Sequence, residues 1–163
     1  MARAKSAGLL AYCPDPDNSG HFRFLIGHPG GPFFRKKDAG HWTIPKGEFE
    51  EAEDPYLAAC REFREETGLH LDFPGDPIAL GSIRQKGGKE IVAWAVSGTF
   101  RNPQPCKSNT FPLEWPPKSG KTLQVPELDQ LLWADEVTAR EKLKEAQIPL
   151  LERLLSHLQR KAE

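Results

Sequence analysis

The sequence predicts an α/β domain built in layers, because short apolar runs typical of strands are interspersed with segments of helical period. A capped helix interrupts the strands, and two helices close the chain. A length of 163 residues is enough to bury a core, so we expect a single domain over residues 1–163.

The chain begins with two runs that predict a β-hairpin. "SAGLLAY" and "HFRFLIGH" are joined by "CPDPDNSG", a cluster of turn-forming residues. A basic loop rich in glycine and proline follows, "HPGGPFFRKKDAG". After it, "HWTIPKG" predicts a short strand broken by Pro45 and Gly47.

The next segment predicts a helix with well-marked ends. Asp54 is a favourable N-cap, Pro55 suits the first helical position, and Gly68 can adopt the left-handed C-terminal cap. These signals give a helix from about Pro55 to Thr67. One of its faces is expected to pack on the core and carries Tyr56, Ala59, Cys60, Phe63 and Thr67.

The second half of the chain predicts three further strands and two helices. "IALGSIRQ" and "EIVAWAVSG" are strands joined by the turn "KGGK", and "LLW" is a short strand. Residues 100–124 contain five prolines and no regular period, which predicts a loop insertion that is either functional or disordered. Two helices are expected over about 135–161, and the last has an apolar stripe at Ile148, Leu151, Leu154, Leu155 and Leu158.

Composition excludes several classes of protein. With 22 basic and 23 acidic residues, the balance does not favour a nucleic-acid partner. No apolar run approaches the roughly 18 residues that a membrane-spanning helix needs. Three cysteines without metal or redox spacing fit a reducing, cytoplasmic setting. The sequence does not define an oligomeric state.

The helix over residues 55–67 brings Glu62, Glu65 and Glu66 together on one patch, where their charges repel. Like charges at helical i,i+4 spacing cost about 0.2–0.5 kcal/mol per pair. Either the patch is a solvated acidic face, or a cation lies between the carboxylates. Magnesium prefers such oxygen ligands and often bridges carboxylates and phosphates. Arg61 lies beside the patch and can hold a nearby carboxylate in orientation.

The spacing over residues 47–69 resembles the sequence box of the Nudix hydrolases. All seven fixed residue types and both apolar positions of the box are present: Gly47, then Glu53 after five residues, then after seven more Arg61, Glu62, Phe63, Glu65, Glu66, Gly68 and Leu69. The resemblance implies an α/β/α sandwich with a mixed β-sheet, in which the box forms a catalytic loop–helix–loop. It also implies hydrolysis of a phosphoric anhydride bond in a nucleoside diphosphate linked to another moiety.

The resemblance also implies roles for residues of the box and nearby. The metal ligands are expected to be Glu62, Glu65, Glu66, the backbone carbonyl of Lys46, and Glu127 from the loop before the last strand. The expected ion is Mg²⁺, with Mn²⁺ as the alternative and more than one ion when substrate is bound. Such ions would neutralise the diphosphate and lower the pKa of the attacking water. Glu62 is the hypothetical general base, and Glu53 and Arg61 would be an orienting pair.

Basic and aromatic residues near the box are candidates for substrate binding. A lysine side chain suits a polyphosphate, a glycine lets backbone approach a metal or phosphate, and aromatic rings stack on bases. The candidates are Lys46, Gly47, Arg35, Lys37, Phe34 and Arg84, with Lys86 and Lys89 of the "KGGK" turn as weaker ones.

The box indicates the chemistry and leaves the substrate open. "WTIPKGEFE" resembles enzymes that act on diadenosine polyphosphates or diphosphoinositol, and the proline-rich segment resembles small bacterial proteins predicted to be NTP pyrophosphohydrolases. We therefore expect a small nucleotide, either an NTP or a dinucleoside polyphosphate similar to diadenosine tetraphosphate. The alternatives are a diphosphoinositol polyphosphate, the 5′ end of RNA, and a non-catalytic nucleotide-sensing module. The intact set of box carboxylates argues against the sensing module.

Overall fold

A computed structural model describes residues 5–70, 75–99 and 101–162. The elements in chain order are β1 (Lys5–Pro14), β2 (Phe22–Pro29), β3 (Lys46–Glu48), α1 (Pro55–Thr67), β4 (Ile78–Arg84), β5 (Glu90–Ser97), β6 (Thr110–Glu114), β7 (Thr122–Pro126), β8 (Leu128–Ala134), α2 (Glu136–Lys142), a 3-10 turn (Glu145–Gln147) and α3 (Ile148–Ala162). No helix in these ranges is both long and apolar enough to cross a membrane.

The main sheet is mixed, and β1 is its central strand. In the described residues the strand order is β4-β5-β1-β2-β8, with β3 also paired to β1. β1 runs parallel to β5 and antiparallel to β2 and β3. β3 pairs with the first half of β1, where Lys46 lies opposite Gly8. β2 pairs with the end of β1, where Phe24 lies opposite Tyr12. The two strands therefore diverge along one edge of β1.

Helices cover both faces of this sheet, as predicted for an α/β/α sandwich. Side chains of a strand alternate between faces, so Leu9 and Leu10 of β1 enter two separate cores. Leu9 packs in the cluster that contains Phe63 of α1, and Leu10 packs in the cluster that contains Leu150 and Leu154 of α3. The long amphipathic stripe predicted for the last helix thus faces the sheet.

Helix α1 has the bounds that the sequence predicts. The side chain of Asp54 accepts a hydrogen bond from the backbone N–H of Leu57 at 3.1 Å. Gly68 has φ 71° and ends the helix in the left-handed conformation, with its N–H bonded to the carbonyl of Arg64. Both caps satisfy backbone groups that the helix itself leaves unpaired, so local residues alone define its ends.

The short strand predicted in "HWTIPKG" lies later than expected. Trp42 and Thr43 form only isolated bridges, and β3 begins after Pro45. Gly47 does not break the strand, because it pairs with Ala7 of β1. Proline cannot donate to a ladder, which explains why regular pairing starts at the following residue, Lys46.

The prediction of a loop over residues 100–124 is wrong from Thr110 onward. β6 and β7 form an antiparallel two-stranded sheet in which Phe111 faces Val125. Pro112 obscures the alternation in the sequence, but both strands of a two-stranded ribbon are edges, where a missing N–H is tolerated. Residue 100, the start of the predicted loop, lies outside the described residues.

Candidate active site

The four predicted glutamate ligands all line one cavity of about 480 Å³. Glu62, Glu65 and Glu66 reach it from α1, and Glu127 reaches it from the connection between β7 and β8. Glu66 is the most deeply placed, with 6% of its surface exposed. Its Oε2 accepts a hydrogen bond of 2.7 Å from the backbone N–H of Lys46. The residue before the box is therefore tied directly to the helix that carries the carboxylates.

Burial makes these carboxylates unusually hard to ionise. Desolvation raises the pKa of Glu66 to about 8, and the charges of Glu127 and Glu62 add to the effect, against the hydrogen bond from Lys46. Desolvation likewise raises the pKa of Glu62 and of Glu127. Partly buried carboxylates that repel one another in a shared cavity are stabilised by a cation, so this donor set fits a divalent metal ion.

Arg61 organises the acidic group from the helix surface. Its Nη1 lies 2.9 Å from Oε1 of Glu62 and 3.4 Å from Oε1 of Glu65, and its Nη2 lies 3.2 Å from Oε2 of Glu53. The contact with Glu53 is the one expected for the orienting pair. In the described ranges, no three side chains among His, Cys, Asp and Glu form a cluster ready to hold a metal ion. One reason is that the carboxylate of Glu62 is directed toward Arg61.

Gly47 is needed for the position of Glu62. A β-carbon built on Gly47 would lie 2.0 Å from Oε2 of Glu62, so a larger residue here would force that carboxylate to move. The close approach expected at this glycine is therefore made by a carboxylate of the same chain. The sequence does not reveal this steric contact, because Gly47 and Glu62 are separated in the chain and meet only in the folded structure.

Three lysines line the same cavity as the glutamates: Lys46, Lys89 and Lys144. Desolvation and then the charge of Lys144 lower the pKa of Lys46, while Glu66 opposes the change. Desolvation, followed by the charge of Lys89, lowers the pKa of Lys144. Lys46 was predicted and Lys89 was a weaker candidate, whereas no sequence signal selected Lys144. The cavity thus combines acidic and basic groups.

The other predicted substrate residues do not all reach this cavity. Phe34 lines it. Arg35 and Lys37 instead line a neighbouring cavity of about 560 Å³, because the chain turns sharply after Phe34. Arg84 is exposed at the end of β4 and lines neither cavity. The structure therefore separates Arg35, Lys37 and Arg84 from the glutamates.

The chain matches one family model and resembles several known proteins over part of their length. A family model described as "NUDIX domain" matches residues 17–154. The RNA pyrophosphohydrolase of Rhizobium meliloti (strain 1021) is 40% identical over 53 residues, which cover 24% of this chain and 32% of that protein. The octanoyltransferase of Myxococcus xanthus is 33% identical over 109 residues, which cover 67% of this chain and 27% of that protein. The chain thus spans about a third or less of these relatives.

A similar solved structure is that of a C. elegans Ap4A hydrolase binary complex. It superposes with a TM-score of 0.63 and 21% sequence identity, over 94% of this chain and 98% of that chain. The superposition shows a shared fold, and at 21% identity the likeness shows the fold alone.

Proposed function

Because this chain belongs to the NUDIX domain family, whose model matches residues 17–154, we propose that it is a metal-dependent pyrophosphohydrolase. The reaction is hydrolysis of a phosphoric anhydride bond in a nucleoside diphosphate linked to another group. One observation carries the proposal: a single cavity is lined by the four predicted glutamate ligands, a fifth glutamate (Glu48) and three lysines. Carboxylates suit Mg²⁺ or Mn²⁺, and lysines suit the phosphates that such an ion bridges.

The box glutamates and Glu127 are proposed to hold the ion, and one box glutamate is proposed to accept the proton of the attacking water. Glu62, Glu65, Glu66 and Glu127 would be its side-chain ligands, with the backbone carbonyl of Lys46. A bound ion supplies positive charge against the diphosphate and lowers the pKa of the water that attacks phosphorus. Glu62 is proposed to accept the proton of that water.

Arg61 is proposed to position the general base. It contacts both Glu62 and Glu53, so the Glu62 carboxylate is held between the guanidinium and the backbone at Gly47. Positioning of this kind matters because a displacement of about 1 Å at a reacting group can cost roughly 100-fold in rate.

The proposed substrate is a nucleoside triphosphate or a dinucleoside polyphosphate. Lys46, Lys89 and Lys144 line one cavity; desolvation and then the charges of neighbouring lysines lower the pKa of Lys46 and of Lys144, so a polyanion would relieve the repulsion. Phe34 lines the same cavity and offers a ring on which a base can stack. The similar solved structure is that of a protein named Ap4A hydrolase, which agrees with a dinucleoside polyphosphate.

A second candidate function is removal of pyrophosphate from the 5′ end of RNA. The similarity to an RNA pyrophosphohydrolase favours it. So does the neighbouring cavity, where Arg35, Lys36, Lys37 and Lys142 outnumber Asp38 and Asp129, although Lys142 is paired with Asp38 at 2.8 Å. Its basic groups could contact the backbone phosphates that follow a 5′ end. This reading predicts that affinity for triphosphorylated RNA falls steeply as the salt concentration rises.

The proposed cellular setting is reducing and cytoplasmic. Cys13 is buried, Cys60 and Cys106 are partly buried, and all three are unpaired. Free thiols are the usual state of cysteine where disulfides do not persist.

The experiment that tests the function is product analysis on a substrate panel. Nucleoside triphosphates, Ap4A, ADP-ribose, a diphosphoinositol polyphosphate and triphosphorylated RNA are incubated with the protein in magnesium or in EDTA, and the products are separated by chromatography. We expect magnesium-dependent cleavage, fastest for a triphosphate or dinucleoside polyphosphate. Nucleotide binding without cleavage of any substrate would refute the enzyme and favour a sensing module.

A further inference from the structure

Ser6 has a buried hydroxyl that no group of the described residues satisfies. The residue is 1% exposed, and its Oγ has no hydrogen-bond partner in those ranges. It lines the cavity that holds the glutamates and lysines. Buried polar atoms are nearly always paired, so an unpaired hydroxyl on a residue that lines a binding cavity points to a polar ligand.

The backbone at Ser6 is fixed on both sides. Ser6 pairs with Glu48 of β3 and with Ile91 of β5, so the strand cannot shift to bring the hydroxyl to water. Alternation along β1 places Ser6 on the same face as Leu10, which is fully buried in the core beneath α3. An apolar residue would suit that face equally well, so folding alone does not explain a serine here.

Lys144 is held at the same cavity by backbone hydrogen bonds. Its N–H donates to the carbonyl of Trp42 at 2.9 Å, and its carbonyl accepts from the N–H of Gln147 at 2.9 Å. The side chain of Gln147 is itself fixed, because its Oε1 accepts from the N–H of Ile44 at 2.9 Å. Lys144 forms no ion pair with a described carboxylate. It is therefore a partly buried cation that the surrounding described residues do not neutralise.

The acidic and basic groups share one cavity. Desolvation and then the charge of Lys89 lower the pKa of Lys144, and the charges of Lys46 and Lys89 oppose the rise that desolvation causes in the pKa of Glu127. Lys89 has an ion pair of 2.7 Å with Glu48, whose largely exposed side chain can turn outward to solvent. A phosphate chain bound at the glutamates would thus have Lys46, Lys89 and Lys144 in the same cavity.

We propose that Ser6, Lys89 and Lys144 form an anion subsite, which binds a phosphate of the substrate beyond the diphosphate held at the glutamates and Lys46. The serine hydroxyl donates to a phosphate oxygen, and the two ammonium groups neutralise its charge. The subsite gives the enzyme a preference for three or more consecutive phosphates over two. It rests on the proposed function, because it assigns a substrate class to that same cavity.

Binding of two nucleotides that differ by one phosphate tests the subsite directly. ADP and a non-hydrolysable, methylene-bridged analogue of ATP are titrated calorimetrically in magnesium. The variants are Ser6→Ala and Lys144→Gln, and the control is Lys161→Gln, which makes the same charge change on the exposed last turn of α3. We expect the wild type to bind the triphosphate analogue more tightly, and each test variant to lose about tenfold in affinity for it, the usual worth of one charge-assisted hydrogen bond.

Affinity for ADP separates the subsite from a structural role. We expect it to stay within about twofold in both variants, and we expect Ser6→Ala to keep or raise the thermal midpoint because it removes an unpaired hydroxyl. Equal losses for ADP and the triphosphate analogue, or no loss for either, would overturn the subsite. The same titration with triphosphorylated RNA shows whether a free nucleotide or an RNA end is the preferred source of the phosphate.

The outcome for the subsite is independent of the outcome for catalysis. A triphosphate preference that depends on Ser6 and Lys144, in a protein that cleaves no substrate, would support the subsite and reject the proposed enzyme. Cleavage of a nucleotide by a protein whose preference survives both substitutions would support the enzyme and reject the subsite.

Discussion

Replacement of Glu66 by glutamine is expected to stabilise the metal-free protein at high pH. The side chain is 6% exposed, and its pKa is about 8 instead of the usual 4.5. Because the folded-state pKa is the higher one, the native protein binds more protons than the unfolded chain between these values. The contribution of Glu66 to the free energy of unfolding is therefore fully present below about pH 4.5. It falls as the pH rises and is lost above about pH 8.

The size of the effect follows from the same two pKa values. At about 1.4 kcal/mol for each pH unit, a rise from 4.5 to about 8 corresponds to about 5 kcal/mol, an upper limit if the cavity relaxes. Glutamine keeps an acceptor for the N–H of Lys46, which now donates to Glu66 at 2.7 Å. The substitution thus removes the charge and retains the hydrogen bond.

The assay is denaturant unfolding in EDTA from pH 5 to pH 9. Wild type should lose stability across this range, and Glu66→Gln should lose much less. The control Glu65→Gln makes the same change one position earlier, where the side chain is 41% exposed, and should retain the wild-type slope. Magnesium at pH 8 should stabilise wild type more than Glu66→Gln. Parallel pH profiles for wild type and Glu66→Gln would refute the reasoning.

Three further substitutions test the geometry of the cavity. Gly47→Ala should lower kcat about 100-fold at an unchanged circular dichroism spectrum, because its β-carbon would displace the carboxylate of Glu62; full activity would contradict the steric argument. Arg61→Lys should cost about 10- to 100-fold in activity or magnesium affinity, measured by turnover across a magnesium titration, because lysine cannot hold Glu62 and Glu53 together. Phe34→Ala should raise KM for ATP roughly 10-fold or more while the exposed Phe33→Ala does not, and equal KM values would exclude stacking on Phe34.

The helix and its caps could be predicted because their causes are local. Asp54 and Gly68 define the ends of α1 through hydrogen bonds to residues within one turn, and Pro55 occupies the first helical position. The spacing of Glu62 and Glu66 along a helix also determines that both carboxylates lie on one side of it. Family, fold class and the α1 boundaries therefore follow from the sequence.

The contributions of Ser6 and Lys144 to the cavity could not be predicted, because they exist only after distant segments meet. Ser6 precedes an apolar run and looks like an ordinary strand end, while Lys144 follows a helix and looks like a surface charge. They come together because β3 pairs with the start of β1 and because Trp42 bonds to Lys144. Conversely, Arg35 is adjacent to Phe34 in sequence but lines a different cavity.

The most direct test of the metal-dependent hydrolase is the turnover number of Glu62→Gln with the best substrate at saturating magnesium. The matched control is Glu152→Gln, at an exposed carboxylate of α3 outside the cavity. If Glu62 accepts the proton of the attacking water, kcat should fall by about 100-fold or more in Glu62→Gln and remain at the wild-type value in Glu152→Gln. Wild-type turnover in Glu62→Gln would contradict the assignment of the general base and the reading of the cavity on which it depends.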